Sequence, residues 1–133
     1  MIVLDTSALL AILLGEASKA QLIELTKGQS LIAPQSLHWE VANAFSAKFK
    51  RNPPLLSLVE AQAALEIYKH IPLRFVEIDF ARAVEIAFDL NIYAYDAYLI
   101  ACAQKKKCAL LSLDRGLKHA AKRVGITVLE VKP

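Results

Sequence analysis

The chain has 133 residues, of which 56% are hydrophobic, and its net charge at pH 7 is +3. This length predicts one domain, residues 1–133, and excludes a multidomain protein, because no linker, repeat or low-complexity stretch divides the sequence. The small positive charge permits contact with nucleic acid without demonstrating it, and the high hydrophobic content indicates a buried parallel sheet or contact with another protein chain.

The opening stretch, "MIVLDTSALLAILLG", predicts a strand at 2–4 and a helix at 7–14. A signal peptide is excluded because the stretch has no basic leader and Asp5 interrupts the apolar run. A membrane span is excluded because Gly15-Glu16 closes the run well before the roughly 20 residues that a bilayer requires. We therefore expect a soluble, cytoplasmic protein with no membrane partner.

The rest of the chain alternates predicted strands and helices. Pro53-Pro54 must end a helix, and Ser57 with Glu60 has the spacing of a capping box at the start of the next one. This alternation predicts a three-layer α/β/α fold with a central parallel sheet of about five strands, whose ligands bind beyond the carboxyl ends of the strands. The remaining strands are expected at 30–34, 74–78, 109–113 and 127–131, and the remaining helices at 19–28, 36–51, 57–71, 79–91, 95–107 and 115–125.

Aspartates directly follow several predicted strands. Asp5 follows the first strand and Asp114 follows the strand at 109–113, so both should emerge at the same edge of the sheet. Either of them could instead serve only as the N-cap of the next helix. Asp79 also stands between a strand and a helix, and for this residue we predict an N-cap and nothing more.

Two further carboxylates lie on apolar helix faces, where burial is costly unless something compensates it. Glu40 shares a face with Leu37 and Val41, and Asp96 shares one with Leu99 near the start of its helix. Four gathered carboxylates would raise one another's pKa values unless a cation neutralised them. Hard oxygen ligands favour Mg²⁺ or Mn²⁺ over zinc, and the two cysteines lack the spacing of a zinc site.

The segments "MIVLDTSALL", "SLHWEVANAF", "YAYDAYLIACA" and "LLSLDRGLK" together resemble the PIN domain, and in particular the VapC-type toxin ribonucleases. The resemblance covers essentially the whole chain, in order and at family-like spacing. It implies a metal-dependent endoribonuclease with Asp5, Glu40, Asp96 and Asp114 as metal-binding and catalytic residues. It also implies a homodimer and a VapB-type antitoxin, which we expect to insert an arginine or lysine among the carboxylates.

Other side chains are candidates for supporting roles. Thr6, Ser7 and Ser112 are placed to hydrogen-bond carboxylates or water, although each could equally be a cap or turn residue. For the aromatic residues Trp39, Tyr95 and Tyr98, core packing is favoured over stacking on unpaired bases. The candidates to follow an RNA backbone are Lys48, Lys50, Arg51, Lys118 and Arg123. Arg115, directly after Asp114, could contact the phosphate to be cut, although a surface role is favoured for it.

Two alternatives remain open from the sequence. A receiver domain has a similar size and an acidic metal site, but it needs an acidic pair after the first strand, where this chain has only Asp5. The second alternative is a PIN-like domain that binds RNA without cleaving it. The intact set of four acids argues against this alternative, although motif residues do not prove catalysis. Cleavage activity discriminates the second alternative from the ribonuclease.

Overall fold

The computed structural model describes residues 1–133 and contains four strands and seven helices. Every predicted helix is present, with each end within two residues of its expected position. The strands are β1 (Ile2–Leu4), β2 (Leu31–Pro34), β3 (Leu73–Val76) and β4 (Ala109–Leu111). The helices are α1 (Thr6–Leu13), α2 (Lys19–Thr26), α3 (Ser36–Phe49), α4 (Leu58–Lys69), α5 (Phe80–Leu90), α6 (Ala94–Lys106) and α7 (Arg115–Arg123).

The four strands form one parallel sheet in the order β3-β2-β1-β4. The central strand β1 pairs Ile2 with Leu31 of β2 on one side, and pairs Leu4 with Leu111 of β4 on the other. All carboxyl ends therefore lie at one edge, as predicted. The Asp5 N–H donates to the Leu111 carbonyl at 3.2 Å, which holds the end of β1 beside the end of β4.

Side chains of β1 alternate between two hydrophobic cores, as the period of a strand requires. Val3 belongs to a core formed with α5, α6 and α7, whereas Ile2 and Leu4 belong to a second core formed with α1 to α4. The sheet is thus covered on both faces, which explains much of the high hydrophobic content. Most of helix α1 lies in the second core.

The prediction of a fifth strand at 127–131 is wrong. Only Val128 forms a bridge, to Leu110 of β4. Beyond this bridge the Lys132 backbone exchanges hydrogen bonds of 2.6 and 3.1 Å with the Gln21 side chain on α2. The segment therefore lies alongside β4 only at Leu110, where the Leu110 N–H donates to the Thr127 carbonyl and the Leu129 N–H donates to the Leu110 carbonyl, each at 2.9 Å.

Local predictions of helix ends are confirmed. The Asp79 carboxylate caps α5 by accepting from the Arg82 N–H, and Ser57 forms the expected capping box with Glu60. Both cysteines are free. None of the seven helices combines the length and apolar character needed to cross a membrane.

Candidate active site

Asp5 is the most buried carboxylate of the chain, with 3% of its surface exposed. It caps α1 by accepting from the Ala8 N–H, and its two oxygens also accept from the Ser7 and Ser112 hydroxyls. Burial raises the pKa of Asp5, and the negative charge of Asp114 raises it further, against the opposing effect of these hydrogen bonds. Asp5 is therefore an N-cap, and this does not conflict with the catalytic role that the resemblance implies for it.

Glu40 lies in the first half of α3 and is partly buried. Its Oε2 accepts a short hydrogen bond of 2.5 Å from Thr6 Oγ1, which links α3 to the first residue of α1. Burial raises the pKa of Glu40, and the charges of Asp96 and Asp5 add to this effect. The helical spacing that placed Glu40 on the apolar face of α3 therefore identified a carboxylate that interacts with the charges of Asp5 and Asp96.

Asp96 and Asp114 complete the group. Asp96 is partly buried in the first turn of α6, and burial together with the charge of Asp114 raises the pKa of Asp96. Asp114 is exposed and caps α7 by accepting from the Leu117 N–H at 3.1 Å. Asp5, Glu40, Asp96 and Asp114 therefore form one electrostatically connected group at the carboxyl edge of the sheet, which we call the acidic cluster.

A hydroxyl network fixes the centre of this cluster. Ser112 is fully buried, donates to Asp5 and accepts the Asp114 N–H at 2.9 Å. Ser7 donates to Asp5 and accepts the Leu113 N–H at 2.9 Å, so the two serines connect the segments that follow β1 and β4. Ser7, Ser112 and Thr6 therefore all hydrogen-bond to carboxylates, as the sequence suggested: the two serines bond to Asp5 and Thr6 bonds to Glu40.

The donor chemistry of the acidic cluster fits a hard divalent cation, since every candidate ligand is a carboxylate oxygen. However, no three His, Cys, Asp or Glu side chains lie close enough together to hold a metal ion as they stand. Asp5 and Glu40 instead use their oxygens to accept from serine and threonine hydroxyls. The residue types suit Mg²⁺, and the observed spacing is wider than a single coordination shell.

The preference for core packing of Trp39 and Tyr95 is wrong. Trp39 is 64% exposed and Tyr95 is 57% exposed, because each lies one helical position away from the face that carries the neighbouring acid. Tyr98 is partly buried and packs against the first core, in agreement with the prediction. Trp39 and Tyr95 border a concavity of about 450 Å³ that also contains Thr6, Glu40, Asn43 and Ala44.

Asn43 was missed by the sequence reasoning. It is exposed on α3 beside Glu40 in this concavity, and its amide can donate to or accept from a ligand there. Its position three residues after Glu40 places it on the same helix face, which is the signal that could have found it.

The predicted basic residues are dispersed. Lys48 lies in the last turn of α3, about 12 Å along the helix from Glu40 at 1.5 Å per residue, and Lys50 and Arg51 follow the end of the helix. Arg115 directly follows Asp114 and lines, with Lys118, a separate concavity of about 540 Å³ beside the chain end. Arg123 ends α7, so only Arg115 adjoins the acidic cluster in sequence.

The raised pKa values predict how stability depends on pH in the absence of metal. A carboxyl whose pKa is higher in the folded chain stabilises the fold below its unfolded value, and this contribution is lost as pH rises through the folded value. The unfolded values are near 3.8 for Asp5 and Asp96 and 4.5 for Glu40. These three groups therefore lower the free energy of unfolding as pH rises from about 4 towards 7.

Chemical denaturation in EDTA across this pH range measures the effect. The Asp96→Asn variant removes one of the three groups, so its free energy of unfolding should fall less steeply with pH than that of the parent chain. Asp89→Asn, an exposed aspartate on α5, is the matched control and should follow the parent. A steeper fall in Asp96→Asn than in the parent would contradict the assigned direction.

Loss of the Ser112 hydroxyl should weaken any chemistry that depends on Asp5. In Ser112→Ala, Asp5 loses one donor and the Asp114 N–H loses its acceptor. Outer-shell partners of this kind typically contribute about 10–100-fold to activity, and we expect a loss of RNA cleavage in that range. Ser30→Ala, at an exposed serine before β2, is the control and should retain full activity. If Ser112→Ala and Ser30→Ala cleaved RNA at equal rates, Ser112 would have no role in positioning Asp5.

The sequence of this chain is similar to those of known ribonucleases. Residues 2–123 match the PIN domain. The chain is 32% identical over 116 residues, 86% of either protein, to VapC ribonuclease Mb0985 of Mycobacterium bovis and to ribonuclease VapC9 of Mycobacterium tuberculosis.

Solved structures share the fold at lower identity. VapC20 of M. tuberculosis, described as a sarcin-ricin loop cleaving toxin, superposes with a TM-score of 0.66 at 18% identity and with full coverage of both chains. FitAcB of Neisseria gonorrhoeae gives the same TM-score and identity over 98% of this chain and 97% of the other.

Proposed function

Because this chain belongs to the PIN domain family, we propose that it is a metal-dependent endoribonuclease and the toxin of a VapBC-type toxin-antitoxin pair. The observation that carries the proposal is the acidic cluster, in which three carboxyl groups have raised pKa values and two of them feel the charge of Asp114. Such an arrangement is costly for stability and is typical of catalytic sites. The VapC relatives support the choice of RNA as substrate.

The residues of the cluster have distinct proposed roles. Asp5, Asp96 and Asp114 are the candidate ligands for Mg²⁺ or Mn²⁺, and Glu40 completes the ligand set or orients the attacking water. A bound divalent cation of this kind supplies two things: a lowered pKa of water, and neutralisation of charge on the phosphodiester.

The side chains around the cluster prepare it for this reaction. The Ser7 and Ser112 hydroxyls fix the orientation of the Asp5 carboxylate. The acids are too far apart to share one metal ion as they stand, so binding a cation requires them to move closer together. Thr6 donates to Glu40 Oε2, which leaves Glu40 Oε1 to accept a proton or hydrogen bond from water. We propose that Arg115, which directly follows Asp114 in the sequence, contacts the phosphate of the cut bond, and that Lys48, Lys50, Arg51 and Lys118 contact the RNA backbone further away.

Two protein partners follow from the family. We propose a homodimer and a VapB-type antitoxin whose arginine or lysine enters the acidic cluster, where a cation would relieve the mutual repulsion of the carboxylates. Both partners, like the RNA substrate, imply action in the cytoplasm. The receiver-domain alternative is wrong, because the chain belongs to the PIN domain family.

The test is cleavage of a structured RNA pool by the purified chain in Mg²⁺, in Mn²⁺ and in EDTA. We expect cutting at internal sites in either metal and none in EDTA. RNA binding with no cleavage in any metal would favour the alternative of a PIN-like binding module. Equal cutting in EDTA would overturn the metal dependence.

A further inference from the structure

Two exposed aromatic residues flank the acidic cluster. Trp39 immediately precedes Glu40 on α3, and Tyr95 immediately precedes Asp96 on α6. Successive residues of a helix point about 100° apart, so each acid can face the edge of the sheet while its aromatic neighbour faces solvent. More than half of each aromatic side chain is exposed, which is unusual for large apolar groups unless they meet a partner.

Both rings border the same concavity as Glu40. This concavity, of about 450 Å³, is lined by Trp39 and Tyr95 together with Glu40 and the hydroxyl-bearing Thr6. A molecule resting on the aromatic rings therefore lies next to a carboxylate of the proposed catalytic site. The site combines flat apolar surfaces with hydrogen-bonding groups, as recognition of a nucleobase requires.

Each ring is supported by a neighbouring ring. His38 meets Trp39 at a centroid distance of 5.0 Å and an angle of 72°, and Tyr98 meets Tyr95 at 5.9 Å and 87°. These edge contacts restrict the two exposed rings before any ligand arrives. Stacking on them then costs less conformational entropy than stacking on a freely rotating side chain.

The aromatic surface continues away from the cluster. A concavity of about 420 Å³ joins Trp39 to Phe75, and another of about 510 Å³ joins Phe75 to Phe80 and Tyr98. A succession of rings suits a strand of several unpaired nucleotides, because every base has a face that can stack. It does not suit duplex RNA, whose bases are already stacked on one another.

We propose that Trp39 and Tyr95 form a base-stacking site that holds unpaired RNA nucleotides beside the phosphate to be cut. This proposal rests on the proposed ribonuclease function and adds the two side chains that hold the bases of the RNA beside the acidic cluster. Stacking is tolerant of sequence, so the two rings set where an RNA binds more than which base it carries.

Trp39 is the only tryptophan of the chain, so its fluorescence reports directly on this site. The experiment uses the full-length Asp96→Asn variant, which should not consume the RNA, and an unstructured oligoribonucleotide. We expect the oligoribonucleotide to quench the tryptophan fluorescence on binding. An oligomer of the same length and charge but without bases should leave the fluorescence unchanged, because it offers phosphates and no rings.

Variants then test the second ring. Adding Tyr95→Ala should weaken binding of the oligoribonucleotide roughly tenfold, the usual loss for one stacked base. Phe88→Ala is the matched control, since Phe88 is 85% exposed and lies on α5, outside this concavity. Filter binding of Trp39→Ala, which has no tryptophan signal, should show a similar loss.

The outcomes separate this proposal from the ribonuclease proposal. RNA cleavage by the parent chain together with unchanged affinity in Tyr95→Ala and Trp39→Ala would overturn the stacking site and leave the ribonuclease intact. Base-dependent quenching without cleavage by the parent would support the stacking site in a binding module. Equal quenching by the oligomer without bases, or an equal loss in Phe88→Ala, would also overturn the proposal. Absence of any RNA binding would overturn it and leave the exposed rings for a protein partner.

Discussion

We expect the Asp96→Asn variant to lose RNA cleavage by more than about 100-fold, because loss of a direct ligand exceeds the 10–100-fold that outer-shell partners contribute. Asparagine has nearly the same shape as aspartate, so the first turn of α6 should keep its packing. The change removes one negative charge from the acidic cluster and one candidate metal ligand. Cleavage rates measured under single-turnover conditions in saturating Mg²⁺ give the effect on the chemical step.

The control for this variant is Asp89→Asn on α5. Asp89 is exposed, so the same chemical change there should leave cleavage unaltered. The Asp96→Asn chain should also unfold at a denaturant concentration no lower than the parent, because burial disfavours the charge that it removes. Undiminished cleavage by a folded Asp96→Asn chain would exclude Asp96 from catalysis.

Mg²⁺ should stabilise the folded chain at pH 7. Burial of Asp5, Glu40 and Asp96, and the charge of other members of the acidic cluster on each of them, disfavour their ionised forms, and a cation that binds only to the folded state offsets this cost. At a free concentration of about 100 times its dissociation constant, such a ligand adds about 2.7 kcal/mol to the free energy of unfolding. Urea denaturation with and without Mg²⁺ measures the difference.

Potassium chloride at equal ionic strength is the control, since it screens exposed charges without coordinating the carboxylates. The Asp96→Asn variant should show a smaller gain than the parent, and Asp89→Asn should show the same gain. If potassium stabilised the parent as much as Mg²⁺ does, the cluster would have no specific site for the divalent ion.

The residues at the carboxyl edge of the sheet could be predicted because local sequence patterns identify them. Short apolar runs followed by an aspartate identified the ends of β1 and β4, and helical spacing identified Glu40 and Asp96 on α3 and α6. A parallel sheet then determines where these residues meet. The sequence singled out Thr6, Ser7 and Ser112, but it could not decide which carboxylate each would bind, since each could equally have been a cap or turn residue.

The errors arose where tertiary context outweighs local preference. The segment at 127–131 has the composition of a strand, but it forms a single bridge to β4, and the backbone of the next residue, Lys132, hydrogen-bonds to the Gln21 side chain on α2. Trp39 was assigned to the core because aromatic residues are usually buried. Its exposure follows from the position of Glu40, since only one of two adjacent helical residues can face the acidic cluster.

In the proposed reaction, the acidic cluster directs water at an RNA phosphodiester. Cleavage in water enriched in ¹⁸O, with Mg²⁺ present, identifies the attacking oxygen. Hydrolysis predicts one heavy oxygen in the new terminal phosphate for each cut, since the attacking oxygen comes from solvent. Products that end in an unlabelled 2′,3′-cyclic phosphate would contradict the proposed reaction, because the RNA's own 2′-hydroxyl would then have been the nucleophile.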